Sequence, residues 1–278
     1  GSMSTLREAR WDAIVVGARV AGASTALLLA RAGLRVLVLD RARRGSDTVS
    51  THALMRGGVL QLRRWGVLSR LIATGAPPVR RVTFHYGMES VPVSLKSYAG
   101  VDALYAPRRT VLDPLLVAAA EEAGADIRFG LTVTDLTRDP TGRVVGATVR
   151  DPRGSRRTER ARLVIGADGR NSLVAAQVAA STVAVGSHVA GYVYGYWPAN
   201  RLDGYHWYYG AGRSAGAIPT NDGLACVFIA GPPALLAALT RSSRPLGAHR
   251  ALAAELDEEL AELTSTPPAG PVRFFPGL

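Results

Sequence analysis

The chain has 278 residues, of which 47% are hydrophobic and 20% are charged, a composition typical of a globular protein rather than a disordered one. No apolar run reaches the roughly 18 residues that a membrane-spanning helix needs, and no signal peptide is found. We therefore expect a cytoplasmic protein without a membrane span. The single cysteine, Cys226, excludes a disulfide framework and a cysteine-based zinc site.

The formal net charge is +11, from 33 Lys and Arg residues against 22 Asp and Glu residues. Lys96 is the only lysine, and the arginines are spread along the chain with clusters at residues 41–44 and 150–162. No zinc-finger or RNP motif accompanies this charge. We interpret the arginines as solvated surface or as attraction for an anionic cofactor or substrate, and we predict no nucleic-acid partner.

The first forty residues predict a strand, a helix and a second strand. Residues 11–17 (WDAIVVG) are a short apolar run that ends at glycine, and residues 34–40 (LRVLVLD) are another that ends at Asp40. Residues 20–32 between them are rich in Ala and Leu, and Gly33 follows at a helix C-cap position. This order predicts a βαβ unit.

The turn of this unit is a variant of the dinucleotide fingerprint G-x-G-x-x-G, and it reads Gly17-Ala18-Arg19-Val20-Ala21-Gly22. Gly17 provides the tight turn and Gly22 permits close helix packing, whereas Arg19 replaces the glycine that a pyrophosphate approaches. An arginine brings a charge that can reach a phosphate, and the helix N-terminus offers free N–H groups. Asp40 is placed to accept hydrogen bonds from ribose hydroxyls. We predict that the whole turn, Asp40 and Arg41 bind a cofactor.

These residues resemble the FAD-binding fold of aromatic hydroxylases of the p-hydroxybenzoate hydroxylase type, geranylgeranyl-reductase-like proteins and flavin-dependent halogenases. The segment GARVAGASTALLLARAGLRVLVLDRA, followed by SDTVSTHALMRGG, is similar to a subgroup with Gly-x-Arg-x-x-Gly at the turn. The resemblance covers residues 11–278. It implies an α/β fold with a Rossmann-like FAD-binding domain of the glutathione-reductase type and an inserted antiparallel-sheet substrate domain.

The resemblance also implies domain boundaries. The FAD-binding domain is expected at residues 4–75 and 101–184, the substrate-binding domain at 76–100 and 185–265, and a return to the first domain at 266–278. The family's third motif is a Gly-Asp dipeptide, and none occurs in this sequence. The resemblance therefore implies a chain truncated before that motif.

Two further segments support the resemblance. Arg109 opens RTVLDPLL at a position that faces the flavin region in the family, with Arg108 as its rival, and Thr110 and Asp113 have the spacing of a capping box. Asp168 and Gly169 lie in LVIGADGRNS, which resembles the family's Asp-Gly flavin motif. A carboxylate at a strand end can accept from ribityl or ribose hydroxyls, and the glycine permits a sharp turn.

Six of the nine tyrosines lie between residues 192 and 209. Their alternation predicts that Tyr192, Tyr194 and Tyr196 share one face of a strand. Aromatic residues so placed form either a sheet core or the wall of a pocket for a flat apolar substrate. The substrate candidates are therefore Tyr192, Tyr194, Tyr196 and Trp207.

His52 is a fifth substrate candidate, because the resemblance brings STHALMRGG near the flavin; a structural histidine is the alternative. No two histidines have metal-ligand spacing, so no metal site is predicted. Residues 246–263 carry leucines at helical spacing and predict a covering helix.

The resemblance implies an FAD-dependent monooxygenase in which NAD(P)H reduces FAD and O2 supplies the oxygen that hydroxylates an aromatic or polyketide-like molecule. One alternative is a geranylgeranyl-reductase-like enzyme that reduces a double bond of an isoprenoid substrate. Another is a truncated, non-catalytic protein that binds FAD or a ligand. A halogenase is disfavoured, because that group depends on a lysine and Lys96 lies outside any matching motif. No side chain is identified as catalytic.

Overall fold

A computed structural model describes residues 9–49, 53–199 and 201–277. The chain divides into two compact units. The first unit comprises Gly1–Thr48 and Arg109–Val183, and the second comprises Val49–Arg108 and Ala184–Leu278. The family resemblance instead groups residues 49–75 and 101–108 with the first domain, and these domain boundaries stay a prediction. The functions of the two units stay predictions.

Thirteen strands, seven α-helices and one short 3-10 helix are found in the described residues. In chain order they are β1 (Trp11–Val16), α1 (Val20–Arg31), β2 (Val36–Asp40), α2 (Arg56–Arg64), α3 (Leu68–Ala73), β3 (Arg81–Tyr86), β4 (Glu89–Ser94), α4 (Arg109–Glu122), β5 (Asp126–Phe129), β6 (Thr132–Arg138), β7 (Val144–Arg150), β8 (Arg156–Gly166), α5 (Leu173–Gln177), β9 (Gly191–Pro198), β10 (Tyr205–Gly210), β11 (Arg213–Pro219), the 3-10 helix (Asn221–Gly223), β12 (Leu224–Gly231), α6 (Pro233–Leu256), α7 (Glu258–Leu263) and β13 (Arg273–Phe275).

The first unit contains a six-stranded sheet in the order β5-β2-β1-β8-β7-β6. Strands β5, β2, β1 and the second half of β8 are parallel, and β6 and β7 extend the sheet as antiparallel strands. Strand β2 is buried at every residue, as its uninterrupted apolar sequence predicts, and α1 packs against both β1 and β2. The predicted βαβ unit is confirmed, with the helix one residue shorter than expected.

The second unit contains a seven-stranded sheet in the order β13-β9-β12-β11-β10-β3-β4. Its neighbouring strands are antiparallel, except that β3 and β10 are parallel. These two strands are far apart in sequence, so no tight hairpin forces them to be antiparallel. Helices α6 and α7 cover one face of the sheet, where Val193, Trp197 and Ile229 form a core with Leu252 and Leu260.

The predicted helix over residues 246–263 is present as parts of two helices. Asp257 has an extended backbone and its carboxylate accepts from the Leu260 N–H at 3.0 Å, so the residue ends α6 and caps α7. Upstream, α6 is interrupted at Arg244, the residue before Pro245. Leu252 and Leu260 are buried, so the apolar face that the leucine spacing predicted is confirmed.

None of the described helices is long and apolar enough to cross a membrane. Across residues 9–49, 53–199 and 201–277, no three His, Cys, Asp or Glu side chains are grouped in a way that could hold a metal ion.

Candidate cofactor site

The turn after β1 is built from close backbone contacts. The Gly17 N–H donates to the Leu39 carbonyl at 2.8 Å, and the Ala167 N–H donates to the Val16 carbonyl at 2.8 Å. Gly17 has a φ of +104°, and a Cβ there would overlap the Ala167 carbonyl oxygen. A Cβ at Gly22 would overlap the Gly17 carbonyl oxygen. Both positions therefore require glycine, as the fingerprint predicts.

The N-terminus of α1 starts directly at this turn. The helix begins at Val20, after Arg19, whose side chain makes no capping hydrogen bond and whose carbonyl accepts from the Ala23 N–H at 2.8 Å. The first N–H groups of a helix have no partner inside the helix, and they form the positive end of its dipole. The first turn of α1 contains no acidic residue. This end of the helix is therefore suited to a phosphate.

Asp40 ends β2 beside the same turn and is only 9% exposed. Its Oδ2 accepts from the Ala18 N–H at 2.7 Å, and its Oδ1 accepts from the Ala42 N–H at 2.7 Å. These two bonds fix the orientation of the carboxylate. Each oxygen keeps a second lone pair that can accept from a hydroxyl group. Arg41 follows Asp40 and is exposed.

A small cavity, partly open to solvent, lies beside Asp40 within the first unit. Its walls are Ala18, Arg19, Asp40, Ala42, Arg43, Arg44, Gly45, Ser46, Asp113, Pro114, Val117 and Phe129. Of these wall residues, only Ala18, Arg19 and Asp40 were predicted from the sequence as cofactor-binding residues. Phe129 lies at this edge because it is opposite Asp40 in the parallel pair of β2 and β5. The short strand β5 was not predicted from the sequence, so the position of Phe129 beside Asp40 could not be predicted either.

Asp113 joins two arginines of this region. Its carboxylate accepts from Arg109 Nε at 2.6 Å and Nη2 at 3.2 Å, and from Arg19 Nη1 at 3.1 Å. The predicted capping box is wrong, because α4 begins at Arg109 and Thr110 therefore lies inside its first turn. Arg108, the rival of Arg109, instead lies over the Tyr196 ring in the second unit, 4.1 Å from its centroid.

Asp168 follows β8 and lies next to the Gly17 turn: its backbone nitrogen is 3.2 Å from the position of a Cβ at Gly17. Its Oδ2 accepts from the N–H groups of Leu173 at 2.8 Å and Val174 at 3.3 Å, so the carboxylate holds the start of α5. Gly169 has a φ of +82°, which explains the glycine in this turn. The contact of Asp168 with a cofactor stays a prediction.

The second unit presents an aromatic face on its sheet. Tyr192, Tyr194 and Tyr196 are half-buried and alternate with the buried residues of β9, so their common face is confirmed. Register places Tyr194 opposite Phe228, and Trp207 joins the same row through Gly216. We define the aromatic face as Tyr192, Tyr194, Tyr196, Trp207 and Phe228.

The rings of this face are in contact with one another. The Phe228 ring centroid is 5.8 Å from that of Tyr192 and 6.0 Å from that of Trp207. Gly216 lies between the two strands that carry these rings, and a Cβ there would be 2.6 Å from the Trp207 ring. The substrate role of this face stays a prediction, and His52 lies outside the described residues.

The residues of the first unit fit FAD. Gly17 and Gly22 permit the tight strand-turn-helix packing, the first N–H groups of α1 suit the pyrophosphate, and Asp40 retains accepting capacity beside a cavity. Arg19 is the one departure from the fingerprint, and it leaves the start of the helix uncapped.

The chain is similar to several flavoproteins. It is 36% identical over 173 residues to a probable electron transfer flavoprotein-quinone oxidoreductase of Escherichia coli, which covers 59% of this chain and 38% of the relative. It is 29% identical over 195 residues to 2,4-dichlorophenol 6-monooxygenase of Delftia acidovorans, covering 60% of this chain and 31% of the relative. The chain thus spans between three tenths and two fifths of the length of these curated relatives.

The fold is also similar to that of a flavoprotein/dehydrogenase from Cytophaga hutchinsonii, with a TM-score of 0.81 at 18% identity over 95% of this chain and 66% of that one. This likeness confirms the predicted fold class. Residues 10–223 match the model of a family described as FAD binding domain. The chain therefore belongs to the FAD binding domain family, and FAD is its cofactor.

Proposed function

We propose that this chain is the FAD-binding part of a flavin-dependent monooxygenase that uses NAD(P)H and O2 to hydroxylate a flat aromatic or polyketide-like molecule. In this proposal the first unit binds FAD and the second unit binds the substrate. The name of the Delftia acidovorans relative, a dichlorophenol monooxygenase, supports this class of reaction. NAD(P)H as the reductant follows from the family resemblance.

The aromatic face of the second unit is the observation that carries the proposal. Its rings are half-buried, so they offer an apolar surface without being closed into the core. A flat aromatic molecule is bound well by such rings, and phenolic O–H groups can orient its polar atoms. Burial raises the pKa of the nearby Tyr205 phenol, which keeps that group neutral; its O–H donates to the Leu54 carbonyl at 3.3 Å.

Bound FAD supplies the redox chemistry and the activation of O2. The residues of the chain have the tasks of binding and orientation. The N-terminus of α1 and the Gly17 turn would hold the pyrophosphate, Asp40 would accept from the ribose hydroxyls, and Arg109 and Asp168 would contact the flavin. The aromatic face orients the substrate.

The first experiment is a visible spectrum of the purified chain, followed by titration with FAD. Flavin absorption bands or micromolar binding support the assignment of the first unit. NAD(P)H oxidation and O2 uptake are then measured with a panel of phenols. Equal consumption of NAD(P)H and O2 with formation of a hydroxylated product is the expected result. Binding of FAD with no oxidation of NAD(P)H under any condition would contradict the enzymatic proposal.

A matched pair of variants tests the aromatic face. Tyr194→Phe removes a hydroxyl from this face and is expected to raise the KM for the phenol several-fold. Tyr98→Phe removes a hydroxyl from a residue that is 66% exposed elsewhere in the second unit, and it should leave the KM unchanged. Equal KM values for both variants and the unchanged protein would contradict a substrate role for Tyr194.

A second candidate function is an oxidoreductase that transfers electrons without oxygen insertion. The Escherichia coli relative favours it, because that protein is named a quinone oxidoreductase and shares 36% identity. Reduction of a quinone or an isoprenoid double bond without stoichiometric O2 uptake would select this function over hydroxylation.

A further inference from the structure

Arg19 occupies the middle position of the fingerprint, and its guanidinium donates hydrogen bonds to other residues of the first unit. Nη1 donates to the Ser46 carbonyl at 2.6 Å and to Asp113 Oδ2 at 3.1 Å. Nη2 donates to Ser46 Oγ at 3.1 Å and to the Asp47 carbonyl at 3.1 Å. The two terminal nitrogens carry four N–H groups, and these four hydrogen bonds account for all of them.

Asp113 is the acceptor that makes this arrangement stable. The residue is only 5% exposed, and its carboxylate lies between the guanidinium groups of Arg19 and Arg109. A buried carboxylate needs such partners, because an unpaired charge away from water is costly. Because Asp113 belongs to α4, its hydrogen bond to Arg19 fixes the orientation of the guanidinium relative to that helix.

The residues that Arg19 holds belong to the segment after β2. Ser46 and residues 43–45 line the cavity beside Asp40. A second arginine fastens the same segment to α4, because Arg44 bonds Glu121 at 2.7 Å and 3.1 Å. The Arg44 pair is exposed on both sides and is therefore the weaker of the two attachments.

We propose that Arg19 is a positioning residue: with Asp113 it forms a brace that holds residues 43–47 against the cavity beside Asp40, and it does not act as a phosphate ligand. The proposal rests on the assignment of this cavity to the adenosine side of FAD. A glycine at position 19 would leave the segment without the three hydrogen bonds that it accepts from Arg19. In this proposal the phosphate is bound by the N–H groups at the start of α1 and not by Arg19.

Hydrogen exchange in the protein without added FAD tests the brace independently of cofactor binding. The Ser46 N–H donates to the Arg43 carbonyl at 3.2 Å, so exchange of the peptide over residues 43–47 reports on the order of this segment. Arg19→Ala and Asp113→Asn should each speed that exchange about tenfold. The control is Arg138→Ala, which removes an arginine that bonds two carbonyls in the same unit. Unchanged exchange in Arg19→Ala would overturn the brace.

Titration with FAD then separates the brace from a phosphate contact. A brace predicts that Arg19→Ala and Asp113→Asn weaken FAD binding by similar factors of about ten, and that the double variant is no weaker than either. A phosphate contact predicts that Asp113→Asn leaves affinity unchanged or increases it, because a competing carboxylate is removed. Additive losses in the double variant would also overturn the brace.

Arg19→Lys provides a second discrimination should Asp113→Asn fold poorly. Lysine binds phosphate well as a point charge, but it cannot make four hydrogen bonds in the fork geometry of arginine. Loss of FAD affinity in Arg19→Lys, with faster exchange over residues 43–47, supports the brace, and full affinity would overturn it. If the unchanged protein binds no FAD, the adenosine-side assignment fails while the exchange result still decides whether the brace exists.

Discussion

Replacement of Asp40 by alanine is the sharpest perturbation of the candidate site. The carboxylate accepts two backbone hydrogen bonds of 2.7 Å, from Ala18 and Ala42, and is nearly buried. Each hydrogen bond to a charged group contributes about 1.5–3 kcal/mol. Part of the loss of two such bonds is offset when the structure relaxes and water hydrates the freed N–H groups. We therefore expect Asp40→Ala to lower the free energy of unfolding by about 3 kcal/mol.

The same substitution removes the acceptor that we propose for the ribose hydroxyls. Loss of that interaction should cost about 1–3 kcal/mol of binding free energy, which is about a 5- to 150-fold increase in the FAD dissociation constant. Calorimetric titration with FAD measures this change, and urea unfolding measures the loss of stability in the same preparation.

Asp12→Ala is the matched control, because Asp12 also accepts a backbone N–H from a neighbouring segment. Its Oδ2 accepts from the Arg35 N–H at 2.7 Å, but it lies at the opposite end of β1 from the turn. Asp12→Ala should therefore reduce stability without changing FAD affinity. The reasoning is refuted if folded Asp40→Ala binds FAD within twofold of the unchanged protein, or if both variants lose affinity equally.

Three further substitutions test the remaining structural arguments. Gly17→Ala places a Cβ against the Ala167 carbonyl at a φ of +104°, and it should lower the FAD affinity at least tenfold in titration while Gly33→Ala, with open space around it, should not. Burial lowers the pKa of His249 to about 4, so the unfolded state binds more protons between pH 6.5 and 4, and stability falls by about 3 kcal/mol as the pH is lowered through that range. Urea unfolding should find this pH dependence reduced in His249→Gln and retained in the exposed control His188→Gln. Gly216→Ala should displace the Trp207 and Phe228 rings and lower the free energy of unfolding by about 1–3 kcal/mol. The ring displacement should change the near-UV circular dichroism spectrum, and an unaltered spectrum would contradict the packing argument.

The parts of the fold that sequence predicted depend on local signals. The βαβ unit follows from two short apolar runs and glycines at fixed offsets, and these signals act within thirty residues of each other. The common face of Tyr192, Tyr194 and Tyr196 follows from the two-residue period of a strand alone. The break at Asp257 was not predicted, although an aspartate followed by Glu258 and Glu259 is typical of a helix start.

The parts that sequence missed depend on distant pairings. Asp113 accepts from Arg19, which lies 94 positions earlier in the sequence. The only local signal at Asp113 was its spacing to Thr110, and that spacing predicted a capping box instead. Strands β3 and β10 pair in parallel although more than a hundred residues separate them. Such contacts depend on how whole elements pack, which no local pattern encodes.

The three fingerprint positions differ in what they physically require, and this difference explains why only one of them has changed. A Cβ at position 17 or 22 would overlap a backbone carbonyl oxygen, which cannot move without opening the turn. Position 19 has φ −74° and ψ −166°, an extended conformation that any residue with a side chain adopts without strain. Its glycine is needed only where a ligand must come close to the backbone. In our proposal the helix N–H groups bind the phosphate, so position 19 is free to carry a side chain, and Arg19 uses that side chain to order the segment that follows β2.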